Sequence, residues 1–164
     1  MEREIRYMEY RIKYTTMEEL PSWIELVHLV AWNFPGLETE ALLEEYKNTV
    51  IKNINCKSAI CAVCGSKVIG ILLFSTKYNM LCCMAVHPEY RRKGIAKSMI
   101  NEMMKNLDLH RDITVDTFRE EDPKGIAPRA LYTSLGFAPD ELIVNLGYPN
   151  QKFVLRAGDA GISE

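Results

Sequence analysis

The sequence predicts an α/β fold of about seven strands and about four helices, and three observations predict it. Apolar residues recur with alternating strand and helix periods in the order β-α-α-β-β-β-α-β-α-β-β. Residues 82–96, Cys-Cys-Met-Ala-Val-His-Pro-Glu-Tyr-Arg-Arg-Lys-Gly-Ile-Ala, carry an apolar strand through Pro88 into a basic, glycine-containing helix start. With 164 residues and 48% hydrophobic composition, the chain can bury one core and is too short for two ordinary domains, so residues 1–164 read as one unit.

Residues 1–9 read as an extension. Tyr10 to Thr15 alternates as a first strand, with Ile12 and Tyr14 on one face and Arg11 and Lys13 on the other. Thr16 with Glu19 three residues on forms a capping signal, and Leu20, Trp23, Val27, Val30 and Phe34 then recur at helical spacing, so the first helix is expected to end near Asn33. Phe34-Pro35-Gly36-Leu37 breaks the pattern. Thr39 opens a second helix whose apolar face includes Leu42, Leu43, Tyr46, Val50 and Ile54. Ser58 to Cys64 and Lys67 to Thr76, separated by Gly65-Ser66, predict a hairpin, and Asn79 to Val86 the next strand. A helix follows over about 94 to 107, with Ile95, Met99 and Met103 four apart and Ile100, Met104 and Leu107 beside them. Asp112 to Phe118 reads as a strand, Pro128 to Leu135 as a short helix ended by Gly136, and Phe137 to Val144 and Gln151 to Arg156 as two closing strands. Residues 157–164 read as a loose tail.

A net charge of -2 argues against a general nucleic-acid or membrane-surface binder, so any basic patch is local and selective. No apolar run approaches the roughly 20 residues needed to span a bilayer, and no signal core follows the charged start, which points to a cytoplasmic protein. Five cysteines without framework spacing fit reduced thiols. Cys61 and Cys64 form a Cys-x-x-Cys inside a strand, where residues three apart face opposite sides, and no paired histidine completes a zinc set. No metal is expected.

The segment at 91–97 carries the chemistry. The first turn of a helix leaves backbone N–H groups without intrahelical partners at the positive end of its dipole, so an anion gains hydrogen bonds and field together. Gly94 and Ala96 keep that surface bare, and Arg91, Arg92, Lys93 and Lys97 surround it with positive charge. Neither the triphosphate loop Gly-x-x-x-x-Gly-Lys-Ser/Thr nor the dinucleotide pattern Gly-x-Gly-x-x-Gly is present.

Arg91, Gly94 and Ala96 fit the spacing Arg/Gln-x-x-Gly-x-Gly/Ala, which resembles the acetyl-coenzyme A signature of the GNAT superfamily of N-acetyltransferases. Ala130-Leu131-Tyr132-Thr133-Ser134-Leu135-Gly136-Phe137 looks like the second hallmark of that family, Leu-Tyr-x-x-x-Gly-Phe, and the two lie about 40 residues apart, as the family spaces them. The resemblance covers nearly the whole chain. It implies a mixed sheet that splays open between its fourth and fifth strands and receives acetyl-coenzyme A there, with no metal. It further implies that Met84, Ala85 and Val86 offer their backbone to the pantetheine arm, and that Arg91, Arg92, Lys93, Gly94, Ile95, Ala96 and Lys97 hold the diphosphate.

In the resemblance, Tyr132 is the phenol that protonates the departing thiolate; the alternative is that it seals the short helix against the sheet. Acid assistance of that kind is typically worth roughly 10² to 10⁴ in rate. The acceptor amine must lose a proton, and here the chain departs from many relatives: no carboxylate lies between Asn79 and Val86. Asp116, Glu38 and the Glu120-Glu121-Asp122 run are the candidate bases. Gly125 and Pro128 stand where relatives often have Asn and Ala. His87, at the strand exit before Pro88, reads as a partly exposed loop histidine, and neither it nor His28 or His110 is given a role.

Substrate choice in this fold usually falls to the loop between the first two helices and the turn between the last two strands, here Trp32 to Thr39 and Gly147-Tyr148-Pro149-Asn150-Gln151. Trp32, Phe34, Glu38 and Tyr148 are the candidate substrate contacts. The implied activity is transfer of an acetyl group from acetyl-coenzyme A to a primary amine, on a small molecule or a protein, by direct attack in a ternary complex. A transferase for a longer acyl chain and a non-catalytic coenzyme A-binding sensor or assembly module are the alternatives. A homodimer is common in this fold.

Overall fold

Capping chemistry sets the first elements. After strand β1 (Arg11–Tyr14), the Thr16 N–H donates to Glu19 Oε1 at 2.7 Å, closing the expected capping box around a 3-10 turn that leads into helix α1 (Leu20–Val30). Thr39 Oγ1 accepts from the Leu42 N–H at 3.1 Å and starts helix α2 (Glu40–Asn55). The chain continues through β2 (Ala59–Cys64), β3 (Lys67–Ser75), β4 (Met80–Val86), α3 (Ile95–Met104), β5 (Ile113–Phe118), α4 (Ile126–Ser134), β6 (Ala138–Asn145) and β7 (Tyr148–Leu155). These coordinates are a computed structural model that describes residues 9–31 and 37–158. The expected extension before Glu9, the end of the first helix near Asn33, Trp32, Phe34 and the tail beyond Gly158 lie outside the described residues.

All seven strands form one mixed sheet in the order β1-β2-β3-β4-β5-β7-β6, with β4 and β5 parallel and every other pair antiparallel. Strand alternation sorts the apolar residues onto two faces. On one, Ile60, Ala62, Ile69, Leu72 and Phe74 pack against Ile95, Met99, Ile100 and Met103 of α3, with Ile113, Val115, Tyr132, Phe137 and Phe153 continuing the core. On the other, Cys61, Val63, Val68, Ile71 and Leu73 meet Trp23, Val27 and Val30 of α1 and Val50 and Ile54 of α2. This second core takes nothing from β5, β6 or β7, so their face on that side is not roofed by it. Close approach explains Gly70: a Cβ there would lie 2.9 Å from Ile95 Cγ2.

Several boundaries differ from the sequence reading, three of them by enough to move residues between element and loop. Helix α4 starts at Ile126, two residues early, because a proline in a first turn lacks only an N–H the helix would not use. Helix α3 ends at Met104, and Leu107 is buried in the turn that follows. The β6–β7 connection is only Leu146-Gly147, both left-handed (φ 53° and 76°), so Tyr148, Pro149 and Asn150 belong to β7 and not to a loop. The start of the expected tail is tied down, the Ala157 N–H donating to Asp112 Oδ1 at 2.8 Å.

Candidate functional site

The site is built where β4 and β5 part. Asn79 is buried and pins the root of the fork: its Oδ1 accepts from the Asp108 N–H at 2.8 Å and its Nδ2 donates to the carbonyls of Asp108 and Asp112 at 2.9 and 3.1 Å. Only Met80↔Thr114 and Leu81↔Val115 then pair across the two strands. Opposite Leu73 and Phe74 the register skips from Cys83 to Leu81, leaving Cys82 as the extra residue of a β-bulge. A bulge bends its strand and sharpens the twist, which here goes with the divergence. Beyond it Met84, Ala85 and Val86 keep β3 on one side and have no β5 partner on the other. The Val86 carbonyl is met by Arg91 Nε at 3.3 Å.

The strand exits into a turn capped by His87. Its Nδ1 accepts from the Glu89 N–H at 3.1 Å, its own N–H donates to Ile69 O at 2.8 Å, and its ring meets Tyr90 edge-on at 5.1 Å. The histidine is therefore buried, correcting the partly exposed loop residue expected from its place before Pro88. Burial, and then the Lys67 ammonium, hold its pKa below the ordinary value.

The chain next turns through left-handed Arg92 (φ 64°) and Gly94 (φ 79°) into α3, whose first turn holds no acid and whose N-cap supplies no side-chain acceptor. Arg91, Arg92, Lys93 and Lys97 are exposed around it and Ala96 is half-buried. A Cβ at Gly94 would meet nothing within 4 Å, so the front of this turn is open. Uncapped amides, a dipole end, four cations and an open front fit a diphosphate. Ile95 differs from the other members of this group: its side chain is buried in the core, leaving only its backbone facing the turn.

Beneath the fork, on the α3 side, Tyr132 of α4 is packed 5.9 Å from Phe137 and 6.2 Å from Phe153, ring centre to ring centre. No hydrogen bond among the described residues engages its hydroxyl. Burial, and secondarily the nearby Cys83, push its pKa well up, so the phenol is protonated throughout the neutral range. Helix α4 is held in place by Arg129, whose Nη1 donates to Phe118 O at 2.9 Å and Gln151 Oε1 at 2.8 Å while the guanidinium lies over the Phe153 ring.

Asp116 is the first β5 residue past the last shared rung, as Cys82 is on β4. Its Oδ2 accepts from Asn145 Nδ2 at 3.1 Å, and the same nitrogen donates to Asn150 Oδ1 at 3.0 Å, tying β5, β6 and β7 together on the face away from α3. Lys152 stands opposite Asp116 in register, yet its ammonium pairs with Glu141 at 3.1 Å. Cys82 is exposed at the surface of the fork, and desolvation of its sulfur by the surrounding chain, then the Asp116 carboxylate, raise the pKa of its thiol. On the α1–α2 side of the fork, Trp23 Nε1 donates to the Tyr46 hydroxyl at 3.1 Å, and that hydroxyl lies 3.8 Å from Cys83 Sγ. Burial drives the Cys83 thiol up to about 11.

Two further candidates are joined to each other. The Tyr148 hydroxyl donates to Asp122 Oδ2 at 2.6 Å, and Asp122 Oδ1 accepts from the Lys124 N–H, so both serve the turn before α4. They line an open cleft of about 380 Å³ with Arg119, Glu121 and Pro149. Glu38 is exposed just before α2. Sequence reasoning missed Asn145 and Tyr46, whose partners at the fork are 29 and 37 residues away and leave no local pattern. Among the described residues no group of His, Cys, Asp or Glu could hold a metal ion.

A comparison with curated proteins finds no sequence match. Solved structures of the same fold are numerous. A GNAT-family acetyltransferase from Bacillus cereus matches at TM-score 0.67 and 18% identity over 90% of this chain and 97% of its own. The PaiA N-acetyltransferase of Thermoplasma acidophilum, in complex with coenzyme A, matches at 0.64 and 18% over 88% and 98%. Diaminobutyrate acetyltransferase EctA of Paenibacillus lautus, in complex with L-2,4-diaminobutyric acid and coenzyme A, matches at 0.68 and 18% over 92% and 96%. At these identities the likeness is one of fold. The acetyltransferase (GNAT) domain model matches residues 56–139, a stretch that runs from β2 through the fork, the basic turn and Tyr132, and with that match the chain belongs to the GNAT acetyltransferase family.

Proposed function

We propose that this acetyltransferase moves the acetyl group of acetyl-coenzyme A to a primary amine at the β4–β5 fork, by direct attack in a ternary complex. The observation that carries the reading is that β4, past its last β5 partner, has one open edge and leads through the turn at 87–94 into an uncapped, cation-ringed helix start. Backbone groups of Met84 and Ala85 can accept the amide arm of the donor as an edge strand accepts a neighbour. The turn at 91–97 holds its diphosphate, with Ile95 contributing backbone only. Bound donor supplies an activated acetyl group as a thioester.

The amine reaches the fork from the face of β5–β7 that carries Asp116, away from α3. An ammonium has no lone pair, so a base must take a proton before the C–N bond forms and the C–S bond breaks. Asp116, on β5, takes the place of the absent β4 carboxylate, directly or through a water. Tyr132 returns a proton to the leaving sulfur. Burial keeps the phenol protonated through the neutral range, so the proton is present to be given. Structures of the same fold bound to coenzyme A support the donor, and free thiols are in keeping with a cytoplasmic setting. No helix among the described residues is long and apolar enough to cross a membrane.

The test is incubation with acetyl-coenzyme A and a panel of primary amines and peptides, read by mass spectrometry, with Tyr132→Phe as the control. Acetylated amine from the wild type and little from the variant supports the reading. Donor binding without product would favour a non-catalytic coenzyme A module, and product only from longer thioesters would move the donor class.

A further inference from the structure

We infer that Tyr10 is a positioning residue for diphosphate binding, holding the turn before α3 in its anion-accepting shape; this rests on the donor site proposed above. Tyr10 lies immediately before β1, far from that turn in sequence. Its ring packs partly buried against the core on the α3 side. Its hydroxyl donates to the Lys93 carbonyl at 3.4 Å and lies 3.3 Å from Ser98 Oγ. A phenol has one proton to give, so with that proton on Lys93 O the Ser98 hydroxyl is the donor of the second bond.

The consequence follows from peptide geometry. A trans peptide is planar, with its C=O and the following N–H pointing opposite ways. Drawing the Lys93 carbonyl toward Tyr10 turns the Gly94 N–H away from β1. That amide belongs to the turn where a Cβ on Gly94 would meet nothing within 4 Å. The segment needs outside support: Arg92 is held left-handed, a conformation costly for a side chain, and no capping side chain fixes the helix start. Tyr10 supplies it by gripping both ends of the first helical turn, Lys93 before it and Ser98 within it.

The test compares binding of acetyl-coenzyme A and of S-acetylpantetheine, which lacks the diphosphate, to the wild type, Tyr10→Phe and Ser98→Ala by calorimetry. Tyr10→Phe keeps the ring. Losing one such bond predicts a Kd for acetyl-coenzyme A weaker by about 2- to 10-fold, a smaller weakening in Ser98→Ala, and no change for S-acetylpantetheine. Equal weakening of both ligands would mark Tyr10 as a general structural prop and overturn the inference, as would unchanged acetyl-coenzyme A affinity in Tyr10→Phe. If the wild type binds S-acetylpantetheine and acetyl-coenzyme A equally, the diphosphate site itself fails, and Tyr10's role with it.

Discussion

Leu81 and Val115 form the last rung that β4 and β5 share, and the residues after them, Cys82 and Asp116, stand on the two arms of the fork. Much of the proposed chemistry depends on that relationship. It brings a carboxylate from β5 to the position along the sheet where β4 offers only a bulged cysteine.

Replacing Tyr132 by Phe leaves the ring in its packing with Phe137 and Phe153 and removes a hydroxyl that no described residue engages. Stability and acetyl-coenzyme A affinity are expected to hold while kcat falls by roughly 10² to 10⁴. Thermal melting, calorimetry and turnover on the same preparation separate these effects; a normal kcat would leave Tyr132 as a packing residue.

Asp116→Asn keeps the shape and one acceptor for Asn145. The expected outcome is a loss of at least about 10-fold in kcat/KM for the amine with donor affinity unaltered. Full activity in the variant would pass the base to another group or to solvent.

His87 gives a pH prediction. Its pKa is lowered by burial and by Lys67, so the fold favours the neutral ring. That contribution is complete above the unfolded value near pH 6.5 and is lost as pH falls through that value toward the folded one. His87→Asn retains an acceptor for the Glu89 N–H and cannot titrate, so the melting temperature should fall less between pH 7.5 and 5.5 than in the wild type. Parallel curves would remove His87 from the explanation.

Trp23 is wholly buried, and the Tyr46 hydroxyl is the acceptor for its indole N–H. Tyr46→Phe leaves that donor unsatisfied and should cost about 1–3 kcal/mol of stability, read from urea unfolding. A loss below experimental error would mean that water or Cys83 had replaced the phenol.

The order of the elements was legible because each carries its own local signal: Thr16 and Glu19 cap one helix, Thr39 another, and Gly65-Ser66 joins β2 to β3 with Cys64 opposite Lys67. The cation-ringed turn was legible for the same reason, since its basic residues and glycine are contiguous. What escaped was non-local. A bulge at Cys82 adds one residue and changes no composition. Tyr148-Pro149-Asn150 has the makeup of a turn, but the left-handed pair Leu146-Gly147 completes the reversal alone and β5 recruits Asn150 through Phe118. His87 donates its N–H to Ile69 O, a contact that exists only once β3 lies beside β4, and Tyr90 covers its ring from within the same turn.

Calorimetric titration of acetyl-coenzyme A into the wild type and Gly94→Trp is the most direct measurement. Gly94 is left-handed with an open front, so tryptophan there strains the turn and covers its amides without entering the core. Saturable one-site binding to the wild type, absent in a variant with an unchanged circular dichroism spectrum, is the expected result. Equal binding by both proteins would take the diphosphate away from the α3 turn, and no binding by the folded wild type would take acetyl-coenzyme A away from the fork.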